Sequence, residues 1–272
     1  MESVADAFAE MKERLFETYG IKCPKCHKLL LRPKIFNKKG EKMAGACATP
    51  GCGYKEADSK AKERRNENVD LTIKAYKNDA YGYLEKASVT SSLKVFSKSF
   101  ANYSTGTVNE KRALTYARSV SAKLCDETVH ALLVGQTGNG KTHLAVGIML
   151  DYLKRNNYMK KAMFIDFPQL MDQLKMGISN DDIGKKVNQC LEEAKKCDLL
   201  VLDDLGAERD SDYSLSVVDT IFRARENESI VVTSNLAGNT YEERYGARTF
   251  GRLKMHGSGN TFSFNGIDDH RR

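Results

Sequence analysis

The chain has 272 residues, 29% of them charged and 41% apolar, with a formal net charge of +7. At roughly 150 residues per domain this makes one large domain or two modest ones, each able to bury a core. No apolar run approaches the ~18 residues of a membrane span, the composition is that of a globular protein, and the charge permits nucleic-acid contact without demanding it.

The opening Met1-Glu2-Ser3-Val4-Ala5-Asp6 has no basic stretch leading into an apolar one, so no signal peptide is expected and the cytoplasm is the expected location. The first predicted element is a helix. Val4, Phe8, Met11 and Leu15 recur at four-three-four spacing, and Ser3 with Asp6 resembles a capping box. Its apolar stripe serves either to pack on its own domain or to meet a partner.

Two cysteine pairs follow, Cys23-Pro24-Lys25-Cys26 and Cys47-Ala48-Thr49-Pro50-Gly51-Cys52. Two thiols at that spacing can aim at one metal from a single turn, and the stretch between the pairs suffices for a short hairpin. Four thiolates suit a closed tetrahedral zinc site, structural because no position is left open for chemistry. Unligated thiols or a redox pair are the alternatives, and a redox pair would sit in a βαβ unit, which the surroundings do not resemble. Cys125, Cys190 and Cys197 read as buried bystanders. Between the pairs Lys25, Lys28, Arg32, Lys34, Lys38, Lys39 and Lys42 stand against Glu41. That basic interval suits nucleic acid, an acidic protein surface, or simply a solvated hairpin.

From 57 to 92 the chain is rich in Lys, Glu, Asn and Ala and has no Pro. Lys60, Lys62, Glu63, Arg64, Arg65 and Glu67 suit a solvated helix linking two domains. Beyond it, apolar runs at 131–134, 162–165, 199–202, 230–233 and 261–264 alternate with helical stretches, which predicts a mostly parallel sheet flanked by helices.

The run at 131–134 leads into Gly135, Gln136, Thr137, Gly138, Asn139, Gly140, Lys141 and Thr142, and a helix opens at His143. This is GxxxxGKT between strand and helix, and these nine residues are the candidate site for ATP or ADP. The glycines let the loop wrap phosphates with its N–H groups inward, and the helix N-terminus favours anions. Lys141 is expected at the β- and γ-phosphates and Thr142 at Mg²⁺. A second apolar run ends in Asp203-Asp204, with Asp203 expected in the Mg²⁺ shell and Asp204 to orient or deprotonate the attacking water. A third ends in Thr233-Ser234-Asn235, and Asn235 is expected at the γ-phosphate or the lytic water.

Together these residues resemble the AAA+ replicative helicase loaders of bacteria and phages, the DnaC/DnaI type. Ser99-Phe100-Ala101-Asn102-Tyr103 is similar to the aromatic box that opens their ATPase domain. GQTGNGKTHLA, LLVLDDLGAE and VVTSNL follow in order, and Arg244-Tyr245-Gly246-Ala247-Arg248-Thr249-Phe250-Gly251-Arg252-Leu253 resembles their ERxGxRxxxRL segment. The likeness covers about residues 97–272, and a cysteine module ahead of the ATPase is similar to the DnaI branch. It implies an α/β AAA+ P-loop NTPase with a mostly parallel five-stranded sheet. A zinc-binding, helicase-interacting domain (1–56), a charged helical linker (57–92) and the ATPase domain (93–272) are the implied divisions.

By position the resemblance makes Arg252 the arginine finger toward a neighbouring subunit, Arg248 the second candidate, and Arg271 the sensor-2 arginine of its own subunit. It puts Ser211, Tyr213 and Lys175, with Lys185 and Lys186, at single-stranded DNA. Surface ion pairs, helix-start roles and a solvated face are the bland alternatives. The implied cofactors are ATP/ADP, Mg²⁺ and Zn²⁺. The implied partners are the hexameric replicative DNA helicase, single-stranded DNA and further copies of the chain in a ring or spiral, in a bacterial cytoplasm and away from membrane. Asp204 stands where many AAA+ proteins carry Glu, and its shorter reach predicts slow hydrolysis. An IstB-type transposition ATPase and a non-hydrolysing helicase-binding adaptor or inhibitor are the competing readings.

Overall fold

The computed structural model describes residues 11–37, 40–236 and 240–269, less the side chains of 58–65 and 67. Two compact units emerge, Met1–Thr72 and Ile73–Arg272.

In the first unit β1 (Phe16–Lys22) pairs antiparallel with β2 (Leu29–Pro33). Bridges Leu31↔Ala46 and Ala46↔Lys55 fold the following loop back onto β2, which brings the second cysteine pair to the first. Apolar packing is thin here. Cys23 and Leu30 are the buried hydrophobic residues among those described, while Ile35 and Phe36 are exposed. Of the predicted N-terminal helix, residues 11–15 are helical, with Met11 and Leu15 exposed, and Val4 and Phe8 lie outside the described residues. Lys38 and Lys39 also lie outside them.

The stretch 57–92 is helical over α1 (Glu56–Ala87), and the division between the two units falls inside that helix. The charged side chains of Lys60, Lys62, Glu63, Arg64, Arg65 and Glu67 are outside the description. Among the described residues no helix is long and apolar enough to cross a membrane.

The second unit carries a five-stranded sheet. Each expected strand is present: β3 (His130–Val134), β4 (Ala162–Asp166), β5 (Leu199–Leu205), β6 (Ser229–Ser234) and β7 (Thr261–Ser263). The order across the sheet is β4-β5-β6-β3-β7, and every pairing is parallel. Parallel strands need covered faces, and the connecting helices cover both. They are α2 (Val108–Lys123), α3 (Lys141–Arg155), α4 (Phe167–Gly177), α5 (Asp181–Ala194), α6 (Asp212–Ala224) and α7 (Thr240–Met255).

The strands' period-two alternation decides which helix meets which face. Ala131, Leu133, Phe164, Val201 and Val231 pack with α2 and α3. Their neighbours Leu132, Val134, Ile165, Leu202 and Val232 pack with α4, α5, α6 and α7. Two apolar layers thus sandwich the sheet, the arrangement expected of an α/β P-loop core. Of the three bystander cysteines, Cys190 and Cys197 are buried as expected, but Cys125 is exposed. It sits just past the end of α2, where the chain turns at the surface before entering β3.

Candidate nucleotide site

The sheet order leaves β3 between β6 and β7, with β5 beyond β6. The C-terminal ends of β3, β5 and β6 therefore converge, and each carries one of the expected motifs. Gly135–Gly140 link β3 to α3, with Gly138 and Gly140 both at φ 91, a left-handed conformation open to glycine at little cost. Asn139 is buried inside the loop. Lys141 opens α3 and its Nζ donates to Gly135 O (2.7 Å), Gln136 O (2.6 Å) and Asn139 Oδ1 (3.3 Å). The loop folds round its own lysine, so the ammonium sits at the centre of the turn.

Thr142 Oγ1 donates to Asp203 Oδ2 at 3.1 Å, joining the phosphate loop to β5. Thr233 Oγ1, from β6, donates to Asp203 Oδ1 at 2.6 Å and accepts from Asp204 N at 2.9 Å. Asp203 is buried, and that burial pushes its carboxyl up to about 6 against the two threonine hydrogen bonds, which pull it down. The register between β5 and β6 shifts between Leu202 and Leu205, and Asp204 has φ 58. This local bulge turns a strand end into a bend and re-aims the second carboxylate.

A cleft of about 830 Å³ opens over these groups. Thr137, Gly138, Gly140, Lys141, Thr142, His143, Asp203 and Asp204 line it, joined by Thr90, Lys94, Lys98, Tyr103 and Asp166. His143 Nε2 lies 2.9 Å from both Ser99 O and Asn102 Oδ1, which fastens the Ser99–Tyr103 segment over the first turn of α3. The Tyr103 ring meets His143 edge-on at 5.2 Å. Its hydroxyl is buried and has no hydrogen-bond partner among the described residues. Asn235 follows β6 beside Gly206 and is not among the residues that line the cleft.

Among the described residues, the expected arginines and DNA contacts are not among those that line the cleft. Arg252 is buried, its Nε donating to Glu226 Oε1 at 2.6 Å and its Nη1 pairing with Asp219. Arg248 is exposed, and Arg271 lies outside the described residues. Ser211 is the N-cap of α6, bonded reciprocally with Ser214, and Tyr213 is 49% exposed. Lys175, Lys185 and Lys186 are exposed on α4 and α5.

In the first unit the four Sγ atoms of Cys23, Cys26, Cys47 and Cys52 all lie within 4.8 Å of one another. Cys23 and Cys52 approach to 3.5 Å and Cys26 and Cys47 to 3.3 Å. A tetrahedron with arms of about 2.3 Å has edges of about 3.8 Å, so the set fits a zinc ion with little adjustment. The Thr49 hydroxyl, then the Lys28 amide, pull the Cys26 thiol down to about 6, while Cys52, despite the Tyr54 amide, is pushed up to about 12 by burial and the three neighbouring thiols.

A family model described as IstB-like ATP binding protein matches residues 80–252. The chain belongs to that family. The matched span of this IstB-like protein holds the phosphate loop, the Asp203-Asp204 strand and α7 through Arg252, and begins beyond the cluster of Cys23, Cys26, Cys47 and Cys52. The replicative helicase loader DnaC of Escherichia coli (strain K12) is 28% identical over 160 residues, 58% of this chain and 63% of DnaC. The chain thus spans less than two thirds of that relative. An ATP-binding protein of insertion sequence IS5376 from Geobacillus stearothermophilus is 24% identical over 242 residues, 87% of this chain and 84% of that protein. A crystal structure of the DnaC helicase loader superposes with a TM-score of 0.54 at 23% identity, covering 63% of this chain and 99% of that one. The second unit shares the fold of that DnaC structure.

Thr233, Asp166 and Tyr103 join the site without having been singled out in the sequence as site residues. Thr233 had a signal, a hydroxyl directly after the apolar run Ile230-Val231-Val232. For Asp166 the signal was a carboxylate ending β4 directly before a Phe-Pro helix start, where it caps α4 through Gln169 N.

Proposed function

We propose that this IstB-like protein is an ATP-dependent loader of a replicative DNA helicase onto single-stranded DNA. The observation that carries the reading is the junction Lys141, Thr142, Asp203, Thr233, in which three parallel strand ends present a phosphate loop and a carboxylate to one cleft. The similarity to DnaC supplies the direction. Gly135–His143 would hold the nucleotide phosphates, with Lys141 turning from its loop carbonyls to phosphate oxygens. Thr142 and Asp203 would hold Mg²⁺, which neutralises phosphate charge. Asp204 would orient the attacking water, and its short side chain suits slow turnover. Asn235 is assigned to the γ-phosphate, Arg252 or Arg248 to a neighbouring copy's nucleotide, and Arg271 to its own.

Residues 1–56 are assigned to zinc and helicase binding, 57–92 to a linker and 93–272 to ATP and DNA. Ser211, Tyr213 and Lys175 are the proposed DNA contacts, in a ring or spiral of copies. Lys141→Ala should abolish ATP binding, and the intact chain should retain a replicative helicase in a pull-down. Unchanged ATP binding in that variant refutes the nucleotide assignment, and failure to retain helicase refutes the loader. A second reading, an ATPase serving transposition, is favoured by the IS5376 relative's coverage of 87% of the chain. A pull-down that retains a transposase and no helicase selects it.

A further inference from the structure

Glu208 is a buried carboxylate that the proposed hydrolysis does not use, on the loop that leaves β5. Its side chain is 1% exposed. It accepts from Gly206 N at 2.8 Å, from the Tyr245 hydroxyl at 2.6 Å and from Arg244 Nη2 at 3.1 Å. Arg244 returns to the same loop, its Nη1 donating to Gly206 O at 2.9 Å and its Nη2 to Glu208 O at 2.7 Å. A further ion pair joins Arg244 Nη2 to Asp210 at 2.6 Å. Both main-chain polar groups of Gly206 are therefore held, the amide by Glu208 and the carbonyl by Arg244.

Gly206 lies two residues beyond Asp204, whose φ of 58 already places the chain in a bend. The loop cannot shift without disturbing Arg244 and Tyr245. Those two residues end the first half of α7, which breaks at Gly246 (φ 81, ψ 153), and Arg248 and Arg252 stand on the second half. A buried carboxylate is costly to desolvate, and breaking its pairing leaves a charge uncompensated. An apolar side chain would fill the same space without that cost, so the ionic tie calls for a role beyond packing.

We propose that Glu208 is a positioning residue that couples the Asp203-Asp204 strand end to the arginine-bearing half of α7. It rests on the ATPase reading above. When nucleotide moves the strand end, Glu208 and Arg244 carry the movement to α7. The carboxylate takes no part in bond making, and it fixes the place of groups that do.

The test uses the full chain. ATP turnover with single-stranded DNA, nucleotide affinity and melting temperature are measured for wild type, Glu208→Gln, Arg244→Gln, the double variant and Tyr245→Phe. The expected result is a fall in kcat of about tenfold for each of the first two, with nucleotide affinity within about twofold of wild type. The double variant should fall no further than either single one, because both remove the same tie. Tyr245→Phe, which loses one hydroxyl and keeps the packing, should show a smaller loss of kcat and guard against misfolding as the cause.

Hydrogen exchange reads the tie without turnover. ATP with Mg²⁺ should add protection at both β5 and α7 in wild type, and at β5 alone in Glu208→Gln. If kcat stays at the wild-type level, or if losses track melting temperature and nucleotide affinity together, the positioning role is overturned. Protection that still reaches α7 in Glu208→Gln overturns it too. Absence of turnover in wild type with protection at both elements refutes the ATPase reading and leaves the tie standing.

Discussion

Asp203 stands where stability and chemistry oppose each other. Its carboxyl is buried between Thr142 and Thr233, and burial raises its pKa from 3.8 to about 6. Between those values the unfolded chain has released the proton and the folded chain has kept it, so stability falls as pH rises across that window. Above about 6 the loss is complete, at most about 3 kcal/mol by the linkage between pKa shifts and folding. Asp203→Asn removes the charge and keeps the shape. In metal-free buffer at pH 7.5 it should melt higher, by about 1–3 kcal/mol in stability, and the gain should vanish near pH 4. The same variant should lose the Mg²⁺-dependent part of its ATP affinity. A variant that is less stable than wild type at pH 7.5 would contradict the buried-charge account.

At the scale of elements, α7 tests how conformation rather than contact sets a residue's worth. Gly246 has φ 81 and ψ 153, a backbone region closed to side chains at ordinary cost, and it separates the two halves of the helix. Gly251, five residues on, lies within the helix with nothing within 4 Å of where a Cβ would stand. Alanine should therefore have opposite effects at the two sites. Gly246→Ala should lower stability by about 1–3 kcal/mol and Gly251→Ala should raise it by about 0.5–1 kcal/mol, read by thermal melting. Equal signs would mean that α7 is not broken at Gly246. What the sequence made legible follows the same divide. The five strands could be read because buried parallel strands are apolar runs, and the loop at 135–142 could be read because glycine spacing and a lysine are fixed by phosphate geometry. Thr233 showed a hydroxyl near a strand end but not its role, which comes from the sheet order that sets β5 beside β6, and Glu208 showed nothing, because its importance comes from α7 folding back onto the β5 loop. The burial of Arg252 against Asp219 and Glu226 was hidden for the same reason, since those partners lie 33 and 26 residues away in sequence.

The whole molecule joins two units that gain stability in different ways. Ile73–Arg272 buries two apolar layers against its sheet. Among its described residues Met1–Thr72 buries the hydrophobic side chains Cys23 and Leu30, a small apolar contribution beside which a metal would weigh heavily. Four thiols within 4.8 Å of one another would add to it if a metal joins them, because ion binding to a site absent in the unfolded chain is folding free energy. Zinc removal should therefore act on one unit and spare the other. Purified protein is expected to carry one zinc per chain, and Cys23→Ser or Cys47→Ser to lose it. Chelation should abolish amide protection in β1 and β2 while ATP affinity stays within about twofold, the outcome expected if the two units open as separate cooperative segments. Full metal retention in both cysteine variants rules out the four-thiolate site. A tenfold loss of ATP affinity on chelation would instead mean that the nucleotide site depends on the zinc unit for its fold.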